Sequence, residues 1–80
     1  MMPKIVNDSL IQRFCYWDQQ VTQGMHYGNE LYRQVASGGR NERVSFLALG
    51  MKLAQKGVVT CITTDTNNET YWLWISLRSI

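Results

Sequence analysis

The chain has 80 residues, 45% of them hydrophobic and 18% charged, with a formal net charge of +2. That composition describes one small globular domain over residues 1–80, too apolar for a disordered segment and too weakly basic for a dedicated DNA-binding surface. No apolar run approaches the ~20 residues of a membrane span, and two cysteines are too few for a disulfide framework.

In chain order, Met1-Met2-Pro3-Lys4-Ile5-Val6 is too short for a secretory leader. The expectation is a cytoplasmic protein with reduced thiols, in which Cys15 and Cys61 serve as small buried hydrophobes. Residues 7–23 carry the marks of an amphipathic helix. Ser9 and Gln12 have the capping-box spacing, and Asp8 suits the positive end of a helix dipole. Leu10, Phe14, Trp17 and Val21 recur at steps of four, three and four, which is one helical face. Gly24 and Gly28 interrupt that phase around Met25-His26-Tyr27, because glycine inside a helix costs about 1 kcal/mol against alanine. A second helix over residues 27–36 is expected after the break. The alternative is one long helix in which the two glycines form a flat notch. Ser37-Gly38-Gly39-Arg40 ends this element, and Gly38 or Gly39 can take the left-handed conformation of a C-terminal cap.

Asn41 is placed to cap the next helix, with Glu42 in its first turn. Residues 42–56 form the strongest helix of the chain. Val44, Leu47, Ala48, Met51 and Ala54 make one apolar face, and Phe46, Leu49, Gly50 and Leu53 make another. Ser45, Lys52 and Lys56 leave only a narrow polar stripe, widened at the start by Glu42 and Arg43. A helix apolar nearly all round belongs in the interior. The expectation is a central helix with the first helices on one side and a hairpin on the other. Gly57 is its stop signal.

The last third reads as a β-hairpin that is apolar on both faces. Asn67-Asn68 suit a two-residue turn, since asparagine tolerates positive φ. That turn pairs Thr64 with Tyr71, Ile62 with Leu73, Thr60 with Ile75 and Val58 with Leu77 on one face. The other face pairs Thr63 with Trp72, Cys61 with Trp74 and Val59 with Ser76. The expected fold is therefore α+β, with two or three N-terminal helices packed on a C-terminal antiparallel hairpin in a winged-helix-like order. The helix over 42–56 would cover the Ile62, Tyr71, Leu73 and Ile75 face.

Trp72 and Trp74, with Val59 and Cys61 beside them, are then the candidate partner-binding surface, because interface hot spots favour aromatic anchors. The competing reading has the first helix fold over that face and bury both tryptophans within the monomer. Arg40 and Arg43, in a glycine-containing loop before a helix N-terminus, are a candidate anion site. A nucleic-acid-binding regulator of winged-helix type would use Arg40, Arg43, Lys52 and Lys56. Against it, the third helix lacks a broad polar face, and the wing tip Asp65-Thr66-Asn67-Asn68-Glu69 is acidic. An enzyme is not expected: His26 is the sole histidine, the carboxylates are scattered, and no spacing suggests a metal or a cofactor. The leading expectation is a small intracellular adaptor or regulator that works by protein contact and self-associates. The runner-up is the winged-helix nucleic-acid binder, and no membrane association is expected.

Overall fold

The first half of the chain forms strands, not helices. In the computed structural model, which describes residues 5–79, strand β1 is Ile5–Asn7, β2 is Gln12–Trp17, β3 is Val21–Tyr27 and β4 is Glu30–Gly39. The helices expected over residues 7–23 and 27–36 are corrected accordingly. The N-terminal capping signal starts only a single 3-10 turn, Asp8–Leu10, in which Asn7 accepts a hydrogen bond from the Ser9 amide at 2.9 Å. The reason lies in residue type. Residues 12–27 contain Phe14, Tyr16, Trp17, Val21, Thr22 and Tyr27 but no alanine or leucine, which favours a pleated chain. In β2, alternation sends Phe14 and Trp17 to opposite faces, so their helical spacing never becomes a stripe.

Both glycines that suggested a helix break have strand roles. Gly24 pairs with Phe14 across β2 and β3, and a Cβ at Gly24 would lie 2.5 Å from the Phe14 ring that covers it. Gly28 takes a φ of +62° and opens a two-residue turn with Asn29, since Tyr27 pairs with Glu30.

The helix expected over 42–56 is present as α1, Arg43–Gln55, after a 3-10 turn at Arg40–Glu42. Asn41 lies inside that turn, while Glu42 takes the N-cap position without a side-chain cap bond. Strands β5, Thr60–Thr64, and β6, Thr70–Ser76, then form the C-terminal hairpin. Its register pairs Thr60 with Ile75, Cys61 with Trp74, Ile62 with Leu73, Thr63 with Trp72 and Thr64 with Tyr71, as the Asn67-Asn68 turn implies. The loop is wider than two residues, because the Asp65 amide donates to the Thr70 carbonyl at 3.2 Å. The Asp65 carboxylate accepts from the Glu69 and Thr70 amides at 2.7 and 3.3 Å.

All six strands join one mixed sheet in the order β1-β5-β6-β4-β3-β2. Strand β1 runs parallel to β5, and every other neighbouring pair is antiparallel. A six-stranded sheet with one helix between its fourth and fifth strands replaces the expected helices-on-hairpin fold and its winged-helix-like order.

This sheet cannot be flat. Its edge strands, β1 and β2, are consecutive in the chain. Five strand spacings of a flat sheet would separate them by about 24 Å. Residues 8–11, three of them wound in a 3-10 turn, span only about 13 Å. The sheet therefore curls, and the side chains follow. Val6 of β1 shares one core with Met25 of β3, Tyr32, Cys61 and Trp74, with Ile11, Tyr27 and Trp72 packed against it. Arg13 of β2 stands over β6, its guanidinium 4.4 Å from the Trp72 ring centroid and 5.3 Å from that of Trp74. A register shift between Gln34 and Ala36 in β4 adds local bend. On the outer face, Phe46 and Leu47 of α1 pack against Ile62, Tyr71, Leu73 and Ala36.

Trp74 is 0% exposed, and its indole N–H donates to Thr63 Oγ1 at 2.8 Å inside the core. Trp74→Ala is expected to cost about 3–5 kcal/mol of unfolding free energy, equally at every protein concentration. Thr63→Val keeps the shape but orphans the indole, and is expected to cost about 1–3 kcal/mol. Chemical denaturation of both variants at two protein concentrations checks these values.

Candidate functional site

The tryptophan face singled out by the sequence is the inside of the curled sheet. Trp74 and Cys61 are buried, so they offer no surface to a partner. Trp72 is half-buried beneath Arg13, and Val59 is exposed near the end of the sheet. The four residues therefore do not form one outward patch. The face is covered within the chain, but by β2 and β3 rather than by a first helix. Arg13, which does the covering, carried no signal in the sequence, because it falls off the apparent helical stripe.

The apolar surface that remains exposed lies elsewhere. α1 buries Phe46 and Gly50 toward the sheet and leaves its other apolar face in solvent. Val44 is 76% exposed, and Ala48 and Met51 follow it in the open at i+4 and i+7. Ser45 and Lys52 separate this stripe from exposed Leu49 on the far flank. The helix carries apolar residues on two sides, but not divided as expected: Leu47, grouped with Val44, packs beside Phe46, and Leu49, grouped with Phe46, is exposed. The placement of the helix at the centre of the protein is corrected, since it lies on the outside of the sheet. A second exposed pair, Trp17 and Val21, faces across the tip of the β2–β3 hairpin, with Trp17 75% exposed.

Arg40 and Arg43 are brought together at the other end of α1. They border an open depression of about 500 Å³ with Ile5, Asn68 and Tyr71. Tyr71 reads in the sequence only as a core residue and Asn68 only as a turn residue. Nothing in their spacing links them to the arginines. Of the other cations of the nucleic-acid reading, Lys52 is exposed on the later half of the helix and Lys56 is exposed at its C-cap.

One ion pair is built into the sheet. Arg78, in the 3-10 turn Leu77–Ser79, donates from Nε at 2.6 Å and from Nη2 to the two carboxylate oxygens of Glu30. Ser76 Oγ donates to the same carboxylate at 3.0 Å. These bonds tie the end of β6 to the start of β4. The Arg78 hydrogen bond, aided by Ser76 and by the arginine's charge, outweighs desolvation and holds the Glu30 pKa below its ordinary 4.5. Burial pushes the Tyr32 phenol up, with the neighbouring Cys61 adding to it.

The two cysteines form no disulfide with each other. Cys61 is buried as expected, whereas Cys15 is exposed and lies 3.3 Å from the Gln23 amide nitrogen. His26 is exposed on β3. Among the described residues no three His, Cys, Asp or Glu side chains gather into a metal site, and no helix is long and apolar enough to cross a membrane. Comparison with protein-family models, curated proteins and solved structures returned no match.

A depressed carboxyl pKa stabilises the fold above its unfolded value and ceases to do so as pH falls through the folded value. Thermal unfolding of the wild type is therefore expected to lose stability over the acidic range below the ordinary glutamate value of 4.5. Glu30→Gln is expected to be less stable at neutral pH and to show a shallower loss over that window. Melting curves across that range, compared between the two proteins, measure the difference.

Proposed function

We propose that this is a small binding protein, not an enzyme, that acts by protein contact and pairs with a second copy of itself through the outer face of α1. The single observation that supports the reading is the exposed stripe Val44, Ala48 and Met51 on a 13-residue helix whose opposite face is already packed. A monomer gains nothing from a second apolar face on one helix, whereas an interface needs one.

The stripe is suited to an antiparallel pair. A two-fold axis midway between positions 47 and 48 sets Val44 of one protomer against Met51 of its partner, and the reverse, which is the self-complementary arrangement of an isologous dimer. The small Ala48 at the crossing lets the helix backbones approach closely. No acidic or basic residue interrupts the stripe itself, and Lys52 stays at its margin. The helix is only about 20 Å long, so it covers less than the roughly 800 Å² per partner of a standard interface. Association through this face is accordingly weak and reversible, as befits a regulator that exchanges partners. The exposed free thiol of Cys15 suits a reducing, cytoplasmic setting.

Sedimentation velocity over a concentration series tests the reading. The wild type is expected to shift from monomer toward dimer as concentration rises. Ala48→Arg places a charge at the crossing point on an exposed helical site. It is expected to remain monomeric throughout with an unchanged melting temperature in dilute solution. A wild type that stays monomeric up to millimolar concentration refutes the dimer.

A further inference from the structure

α1 covers only part of the outer face of the sheet, where it rests on Ile62, Tyr71, Leu73 and Ala36. Farther across that face, Phe14 of β2, Gly24 of β3, Arg33 of β4 and Ile75 of β6 stand in register as one cross-strand row. Gln12, His26 and Leu31 form the row on one side of it, and Tyr16 pairs with Thr22 on the other. Gly24 has no side chain, so the Phe14 ring lies over β3 beside the register position of Arg33. The Tyr16 ring flanks the Phe14 ring, with centroids 6.0 Å apart and planes tilted by 44°. Strand geometry sets the Cα atoms of Tyr16 and Arg33 about 12 Å apart on this face, a gap that two long side chains can close.

Two buried donors lack an acceptor among the described residues, and both fall on this face. They are the Tyr16 hydroxyl and Arg33 Nε. Buried polar groups are paired in the large majority of cases, so two unpaired donors on neighbouring rows call for a partner from outside the chain. Arg33 also makes no ion pair with a described residue. It is the only arginine, lysine or carboxylate that β2, β3 and β4 place on this face. Both side chains are half-buried, so a small rotation of each turns the unpaired atom toward a ligand on the surface. The side of a guanidinium and a phenol together match the two oxygens of a carboxylate. One cation balances one negative charge, whereas a phosphoryl dianion would bring a second charge with no cation to meet it. The half-buried Phe14 ring offers an aromatic floor, on which another ring packs offset or edge to face.

We propose that Arg33 and Tyr16 bind the carboxylate of a small aromatic acid whose ring packs on Phe14. Arg33 donates from Nε and the adjacent Nη to the carboxylate oxygens, and the Tyr16 hydroxyl donates to one of them. The site shares no residue with the helix stripe and does not rest on self-association.

The test is a titration of isotope-labelled protein with phenylacetate, followed by amide and arginine Nε–H resonances at constant pH and ionic strength. It is done in the Ala48→Arg background, so that the outcome is independent of the dimer. Acetate, phenylacetamide and a tetraglutamate peptide are the comparison probes. Saturable shifts are expected at residues 14–16, 22–24 and 31–33, with phenylacetate binding about tenfold or more tighter than acetate or phenylacetamide. Arg33→Gln is expected to weaken phenylacetate binding by about tenfold or more, and Tyr16→Phe by about two- to tenfold. Tyr16→Phe is also expected to melt no lower than its parent without ligand, because the hydroxyl it removes has no partner in the free protein. Shifts that fail to saturate, or that Arg33→Gln leaves unchanged, overturn the site, as does a Tyr16→Phe protein that melts well below its parent. Phenylacetamide binding as tightly as phenylacetate overturns the carboxylate, and acetate binding as tightly overturns the aromatic body. A tetraglutamate peptide binding more tightly than phenylacetate overturns the small acid and assigns the face to an acidic protein segment instead.

Discussion

The short connection between β1 and β2 is the constraint on which the structure depends. Four residues, most of them wound into a 3-10 turn, must join the two outer strands of a six-stranded sheet. Only a curled sheet satisfies that length. Curling gives the sheet an inside, and the inside must be filled. Trp74 fills most of it, with Met25, Ile62 and Leu73 also fully buried on one face or the other. Trp74 brings a polar N–H into that interior, and Thr63 on the neighbouring strand answers it. Arg13 then closes the open side by laying a cation over the two indole faces, an interaction that keeps its charge near solvent while its stem covers apolar surface.

The curl also decides where the helix can go. Because strands fill the concave side, α1 is left with the convex side, where the Ile62, Tyr71 and Leu73 row gives it one packing surface. A helix with two apolar faces can bury only one against a single sheet. The surplus apolar surface of the chain is thereby moved from the tryptophans to Val44, Ala48 and Met51. The same docking brings the beginning of α1 next to the β5–β6 loop. Arg40 meets Asn68 across 28 positions of sequence, and Tyr71 both packs in the core and borders the depression for the same reason. The exposed apolar stripe and the open depression beside Arg40 and Arg43 are thus products of one packing decision.

Legibility in the sequence followed the range of the interactions involved. The β5–β6 hairpin could be read residue by residue, because a short loop fixes its register and the alternation Tyr71, Leu73, Ile75 fixes its faces. The helix over 43–55 could be read because its composition, Gly50 apart, is mostly helix-forming and glycines bound it. The N-terminal half could not, although Gly28-Asn29 between two runs rich in aromatic and β-branched residues is itself a hairpin signal. There the spacing of Leu10, Phe14, Trp17 and Val21 imitated a helix, and strand propensity with cross-strand pairing prevailed. Arg40 and Arg43 were visible as a pair of cations, whereas their partners Asn68 and Tyr71 were not, since nothing local connects them.

The sequence by itself determined the elements whose stabilising contacts lie within a dozen or so residues: the C-terminal hairpin with its register, and the helix with its two apolar faces. Tertiary structure alone decided which surface faces outward. Trp72 and Trp74 must lie on the side of β6 opposite Leu73 in any regular strand, but whether that side meets solvent depends on β1, β2 and β3, more than 40 residues away. Alternation along a strand records sidedness. It does not record which side the sheet will curl around, because that is set by the length of a connection at the far end of the chain.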